Sequence, residues 1–220
     1  MKNLEYKIAN LYKRASLAVN IDITNKCVLE CTSCQRQNWR SKGKKIPGND
    51  MSIRDFKKII DFFPFLNFCG TRSDPVHHPK FLQFLKLCNE RNIQCVINNA
   101  SSAKSKEWYI KAFKAAPNAK WIFGIDGLPK DSHKYRINQD GEKLFNIMVM
   151  SKNYLNTTPT WQYIVFSYNE NNMDEAKAIA NDNGVLLLFT FSNRFDNHMK
   201  NKKTDVIDFK PKNEEHYVKL

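Results

Sequence analysis

No apolar run in this chain is longer than a strand requires; VLLLF at 185–189 is among the longest. Nothing approaches the roughly 20 residues of a membrane-spanning helix. The first residues, MKNLEYKIANLYKRASLAV, alternate charged and apolar groups and lack the apolar h-region of a signal peptide, so a cytoplasmic location and no membrane partner are expected. Beyond a strand–helix alternation there is no internal repeat and no low-complexity tract, and no conventional nucleic-acid-binding motif. Acidic residues are absent from 36–45, RQNWRSKGKK, which carries five basic ones.

What is present bounds the rest. The 220 residues suit one domain with a sizeable core, and 42% hydrophobic and 12% aromatic content, with 15 Phe, marks a globular chain rather than a disordered one. The net charge of +13 is uneven, since the tail 196–220 is nearly balanced with six Lys against five acids. The basic stretch 36–45, with Trp39 inside it, reads as a loop suited to RNA, an acidic peptide or a phosphate group, or as a solvated loop without a partner.

Residues 1–16 read as a leader helix with Leu4, Ile8, Leu11 and Tyr12 near one face. Strands are expected at 17–24, 65–69, 93–98, 120–126, 160–167 and 185–191. Helices are expected between them at 51–64, with a Ser52–Asp55 capping pair, at 79–91, with Pro79 in its first turn, and at 104–116, 141–155 and 173–184, the last closed by Gly184. Residues 196–220 show no firm period. The division is thus a leader (1–16), a main domain (17–195) and a C-terminal extension (196–220). Six strands alternating with five helices call for parallel strands joined by helical crossovers. A full eight-unit barrel needs about 250 residues, so the expected fold is α/β, an open partial (β/α)6 TIM-like barrel with outer helices. A doubly wound flat sheet is the competitor. In either, the active end is the C-terminal edge of the strands.

The first strand runs into KCVLECTSC (26–34), which places Cys27, Cys31 and Cys34 in a C-x3-C-x2-C spacing. In a reducing compartment such a cluster reads as metal or redox ligands. Three thiolates on an iron–sulfur cubane leave one iron without a protein ligand, and an open coordination position is where a small molecule binds and reacts. A closed zinc site is the alternative, with His77, His78 or Cys69 as fourth ligand. Cys69, Cys88 and Cys95 fall on apolar elements and read as free thiols.

The motif and its lead-in, ITNKC (23–27), resemble the radical S-adenosylmethionine (radical SAM) superfamily, over roughly residues 17–195. The resemblance implies a partial (β/α)6 barrel and a [4Fe–4S] cluster on Cys27, Cys31 and Cys34. S-adenosyl-L-methionine would chelate the fourth iron through its amino and carboxylate groups. An external one-electron reductant, such as flavodoxin or ferredoxin, and reductive cleavage to a 5'-deoxyadenosyl radical that abstracts hydrogen from a substrate follow from the same resemblance. CGTRSDP (69–75) is similar to the family's GGEP-type element, with Ser73, Asp74 and Pro75 as counterparts and Asp74 at the methionyl amine. NNAS (98–101) puts Asn98 and Asn99 near the cofactor. GIDG (124–127) supplies Asp126, and SHKYR (132–136) supplies Arg136 for a carboxylate. In QYIVFSYNENN (162–172), Ile164 or Val165 would pack on adenine and Asn169 would lie near the ribose.

Two features depart from the family pattern: Ser33 stands where relatives commonly carry an aromatic, and the CGTRSDP loop is longer than a plain GGEP. No cysteine follows Cys95, so a C-terminal auxiliary cluster is not expected. Simpler roles exist for these residues. Asp74 and Asp126 suit caps, Asn98 and Asn99 suit turns, Arg136 suits a surface cation, and His77, His78 and His133 suit polar loops. Gly124 and Gly127 permit close backbone approach. Arg194, just past the last strand, would face the same mouth and hold an anionic group. The substrate, whether peptide, nucleotide or nucleic acid, or small metabolite, is not legible. A non-enzymatic metal- or cluster-bearing RNA-binding protein and a radical SAM relative without turnover are the rival functions.

Overall fold

The computed structural model describes residues 17–192 and 209–216. The expected leader helix, Arg194 and most of the 196–220 extension lie outside the described residues. Six strands are formed: β1 (Ala18–Ile21), β2 (Phe65–Phe68), β3 (Gln94–Asn99), β4 (Lys120–Gly124), β5 (Thr160–Ile164) and β6 (Leu186–Thr190). Six helices accompany them: α1 (Gln35–Arg40), α2 (Ile53–Phe62), α3 (Phe81–Glu90), α4 (Lys106–Ala115), α5 (Gly141–Ser151) and α6 (Met173–Asn183). No helix among the described residues is long and apolar enough to cross a membrane.

All five strand pairings are parallel and the strand order is β1-β2-β3-β4-β5-β6. A doubly wound sheet reverses its order at a switch point; this one never reverses. Consecutive crossovers therefore advance in one direction, as in a barrel, and β1 and β6 are left unpaired with each other among the described residues. The fold is the open partial barrel expected from the alternation.

The two sides of the strands differ in chemistry. Towards the helices, Leu66, Phe68, Ile97, Trp121, Phe123, Trp161 and Tyr163 are fully buried, each contributing about 1.5–3 kcal/mol. Phe113 meets Trp121 edge-on at 5.0 Å between ring centroids, and Phe145 meets Trp161 at 5.1 Å, the offset that ring quadrupoles favour. Alternate residues face the other way and mix polar groups, Asn67, Asn98 and Gln162, with apolar ones such as Ile122 and Ile164. Asn67 Nδ2 donates to Asn20 Oδ1 at 2.8 Å and Asn98 Nδ2 donates to Asn67 Oδ1 at 2.7 Å, a carboxamide ladder across β1, β2 and β3.

Helix ends follow local chemistry. Ser52 accepts from the Asp55 amide at 3.1 Å, so the expected cap forms. Gly184 closes α6 in the left-handed region at φ +59. Two expectations are corrected. The helix placed at 79–91 begins at Phe81 with Lys80 as its cap, so Pro79 precedes the helix instead of opening it. The stretch 36–45 is not simply a loop, because its first half is α1, which starts directly after Cys34.

Candidate active site

The C-terminal ends of the strands open into one cavity of about 870 Å³. Cys27, Cys31 and Cys34 all line it, as do Ser73, Asp74, Asn98, Asn99, Arg136 and Ile164. Most of the residues singled out in the sequence are thus brought to one place. Asp126 and Asn169 are not on its wall.

The cysteine loop leaves β1 and is held from two sides. The Glu30 amide donates to the Ile137 carbonyl at 3.1 Å and the Thr32 amide to the Tyr135 carbonyl at 3.4 Å. From the other side Arg36 Nη1 donates to the Cys27 carbonyl at 2.9 Å. Cys31 also rests on a small apolar group of Tyr135, Ile164 and Phe166. All six cysteines of the chain are free. Burial, and then the Asp74 charge, push the Cys27 thiol up to about 12, against the Leu29 amide and Arg36. Burial raises the Cys31 thiol as well, with Arg136 opposing it.

Among the described residues no three His, Cys, Asp or Glu groups stand close enough to hold a single metal ion. Of the candidates for a fourth zinc ligand, Cys69 lines the same cavity, half-buried, with its Sγ 3.4 Å from Thr71 Oγ1, whereas both histidines are engaged elsewhere. His78 Nε2 contacts the Met51 carbonyl at 3.0 Å while its Nδ1 accepts from the Lys80 amide at 3.0 Å. His77 Nε2 lies 2.9 Å from Ser101 Oγ, and burial, followed by Lys104 and Arg36, brings its pKa down to about 4. A cubane takes each thiolate on a separate iron and so asks for wider sulfur spacing than one tetrahedral ion. Three thiols on one wall are the donor type a cubane takes, and the same wall carries an orphaned buried Ser33 Oγ whose isolation costs about 1–3 kcal/mol.

Asp74 sits at the entry of a short turn, Pro75–His77, and accepts from the Val76 amide at 3.2 Å through Oδ1. Its Oδ2 accepts from the Ala100 and Ser101 amides at 2.7 and 2.9 Å. The capping role and a place on the cavity wall therefore coexist. Burial outweighs the three amides and raises its carboxyl to about 6. The loop depends on Gly70, at φ +54, where a Cβ would lie 2.5 Å from the Ser73 carbonyl oxygen. Ser73 Oγ donates to Asp22 Oδ1 at 2.9 Å.

Asp126 is fully buried. Its Oδ1 accepts from the Ile164 amide at 2.9 Å and its Oδ2 lies 2.7 Å from Arg136 Nε. Arg136 is accordingly not a surface cation. Burial works against its charge, but Asp126 and then Cys31 reverse that and strengthen its hold on the proton. Gly124 lacks a side chain where the guanidinium passes; a Cβ there would lie 2.8 Å from Arg136 Nη2. Both asparagines touch the cavity, but their carboxamides are held differently: Asn98 Nδ2 donates to Asn67, while Asn99 Nδ2 donates to the Tyr109 hydroxyl at 2.9 Å and its Oδ1 accepts from the Ser101 amide. Asn169 is bonded within its own loop, accepting from the Phe166 amide at 2.7 Å and donating to the Ile164 carbonyl at 3.0 Å. Ile164 is on the cavity wall and Val165 is in the core.

Sequence reasoning missed two buried residues. Arg36 was legible only as one of five bases, although its place two residues past Cys34 is a usable signal. Gln139 donates to the Gly124 carbonyl at 2.9 Å and the Ala100 carbonyl at 2.5 Å, joining two strand exits. Nothing in its neighbourhood of the sequence marks it.

A sheet of six parallel strands in sequential order, with a three-cysteine loop after the first, is the fold of the radical SAM superfamily, and the chain has that fold. Three radical SAM enzymes are among the solved structures that share it. SuiB from Streptococcus suis bound to S-adenosylmethionine matches with a TM-score of 0.69 at 13% identity, over 96% of this chain and 48% of that one. Tagged anSMEcpe with bound AdoMet gives 0.61 at 15%, over 78% and 48%. Methylornithine synthase (PylB) gives 0.57 at 12%, over 78% and 52%. The chain spans about half the length of these structures. No family model matches the chain, and no curated protein matches it in sequence.

Proposed function

We propose that this chain is a radical SAM enzyme that holds a [4Fe–4S] cluster on Cys27, Cys31 and Cys34 and binds S-adenosyl-L-methionine beside it. The observation that carries the reading is the meeting of all three thiols with Asp74 and Arg136 on one cavity at the active end of the barrel. When bound, cluster and cofactor together would supply reductive cleavage of the sulfonium, and with it the 5'-deoxyadenosyl radical that takes hydrogen from a substrate, the electron coming from an external donor of the flavodoxin or ferredoxin type.

The chain's own groups have the following parts. An ionised carboxyl offers about four lone-pair positions; amides fill three on Asp74, which leaves one for the methionyl ammonium. Arg136, kept charged and aimed by Asp126, takes the methionyl carboxylate through its remaining N–H groups. Ile164 gives adenine an apolar wall, and Asn98 offers a carboxamide towards the ribose side. Ser73, Asn99, Asp126 and Asn169 act through the loops they hold. Six free thiols suit a reducing, cytoplasmic setting. SuiB has been solved bound to its precursor peptide SuiA, and a peptide is the substrate class taken for this chain.

Incubation of the anaerobically reconstituted protein with dithionite and S-adenosylmethionine is expected to release 5'-deoxyadenosine and methionine. A cluster-loaded protein that releases neither is a non-catalytic relative. Salt-dependent RNA binding that persists without the cluster would favour the RNA-binding account instead.

A further inference from the structure

The cavity has a cationic wall that the cofactor roles leave unused. Helix α1 ends at Arg40, and the exposed turn after it carries Lys42, Lys44 and Lys45, none of which makes an ion pair among the described residues. Lys42 lies on the cavity wall itself. On the facing loop, Arg72 Nε donates to Gln35 Oε1 at 3.3 Å, which adds a further cation beside the first turn of α1. The row continues inward to Arg36, which is 4% exposed and also on the cavity wall. Its Nη1 bonds the Cys27 carbonyl, while its Nε has no partner. A buried guanidinium with an unfilled N–H is costly to leave as it is, and its planar fork suits a carboxylate.

We propose that Lys42, Lys44 and Lys45 are the docking face for an acidic peptide segment, one of whose carboxylates is drawn along the wall towards Arg36. The inference rests on the enzyme reading and narrows its substrate. Charge complementarity alone would serve RNA equally, but stacking platforms separate the two. Proteins that bind single strands present exposed aromatics to the bases. Among the described residues the large exposed aromatics are Phe62 and Phe191, neither on the cavity wall, and Trp39 is half-buried. A carboxamide outside the cofactor roles does line the interior, at Gln162, and it pairs naturally with peptide amides. An acidic electron-transfer protein is a third candidate, but such a partner needs only the outer surface, whereas this row runs into the cavity.

The test is fluorescence anisotropy of the full, reconstituted chain with three labelled probes: a short Glu/Ser peptide, its Gln/Ser counterpart, and single-stranded poly-U RNA of matched charge. The Glu/Ser peptide is expected to bind, the Gln/Ser peptide to bind at least about tenfold more weakly, and K42E/K44E/K45E to lose about tenfold or more for the acidic probe. R36Q is expected to weaken the same probe severalfold, with R36K retaining part of the affinity. Circular dichroism of each variant checks folding, and the surface triple variant remains informative if R36Q fails to fold. Tighter binding of RNA than of the acidic peptide, or unchanged peptide binding by the triple variant, overturns the proposal. In the latter case, slower reduction of the triple variant than of wild type by flavodoxin, with equal rates by dithionite, assigns the lysines to an electron-transfer partner instead. Release of 5'-deoxyadenosine without peptide, measured in parallel, reports on the enzyme reading separately.

Discussion

The Asp126–Arg136 pair is the most exacting point at which stability and site geometry meet. Asp126 is 0% exposed and the Arg136 side chain 13%, with 2.7 Å between Oδ2 and Nε. Replacing Asp126 by Asn keeps the shape and an acceptor for the Ile164 amide, but it strands a guanidinium that is mostly shut off from water. Breaking a buried pair from one side costs about 3–5 kcal/mol; the cavity beside Arg136 lets water reach part of the guanidinium, so the lower end applies. At about 2–4 °C per kcal/mol for a domain of this size, D126N should lower the Tm by roughly 6–12 °C. The assay is thermal and urea denaturation of D126N, R136M and the double variant. The double variant should recover part of the loss, with a coupling energy of at least about 1 kcal/mol. A D126N protein within about 0.5 kcal/mol of wild type, or additive losses in the cycle, would refute the reasoning.

Three further outcomes follow from the geometry. Burial holds the Asp74 carboxyl near 6, above its usual value, so its contribution to stability is full below the ordinary carboxylate range and is lost as pH rises through about 6; wild type should show this slope in Tm against pH and D74N should not. Binding of S-adenosylmethionine needs the ionised form and should strengthen over the same interval. Glu170 accepts from the Lys212 and Asn213 amides at 2.9 and 3.1 Å and contacts His216. Burial pushes its carboxyl up, but those partners outweigh it and hold it below the usual range, so the docking of 209–216 weakens as pH falls through that lowered value. E170Q should cost about 1–3 kcal/mol, read as hydrogen exchange at Lys212 and Asn213 that is roughly fivefold faster or more. Gly70→Ala combines a left-handed backbone with a clash against a carbonyl and should cost at least about 2 kcal/mol, with the loss visible in urea melts.

The sheet was legible because its helix-facing side is apolar at every second position, as in Leu66 and Phe68 or Trp121 and Phe123. Strand ends were overextended at 22–24, 125–126 and 165–167. There the alternation, or at 165–166 the apolar run, continues, but the chain has left the ladder to build loops; the Asp22 carboxylate already accepts from Ser73 across the β2 exit. Helix α1 was not legible, since QRQNWR has no apolar stripe and its Cys34 cap makes no side-chain bond. The thiols could be picked out from their spacing, and Asp74 and Arg136 only from the resemblance of their loops to the family's; all five line one cavity. What neither reveals is direction: Asn98 and Asn99 are neighbours on one strand and both touch the cavity, but the pleat ties the Asn98 carboxamide to Asn67 and that of Asn99 to Tyr109. Arg36 and Gln139 were hidden for a related reason, because a long polar side chain buried by tertiary contacts reads in sequence as surface.

The central claim is that three thiols hold a cluster with one iron left for a small ligand. It is tested most directly by low-temperature EPR of the anaerobically reconstituted, dithionite-reduced protein, with and without S-adenosylmethionine. The account calls for a reduced [4Fe–4S] signal that changes on adding the cofactor and is absent from Cys31→Ala. A signal indifferent to the cofactor, or one that survives loss of Cys31, would contradict it.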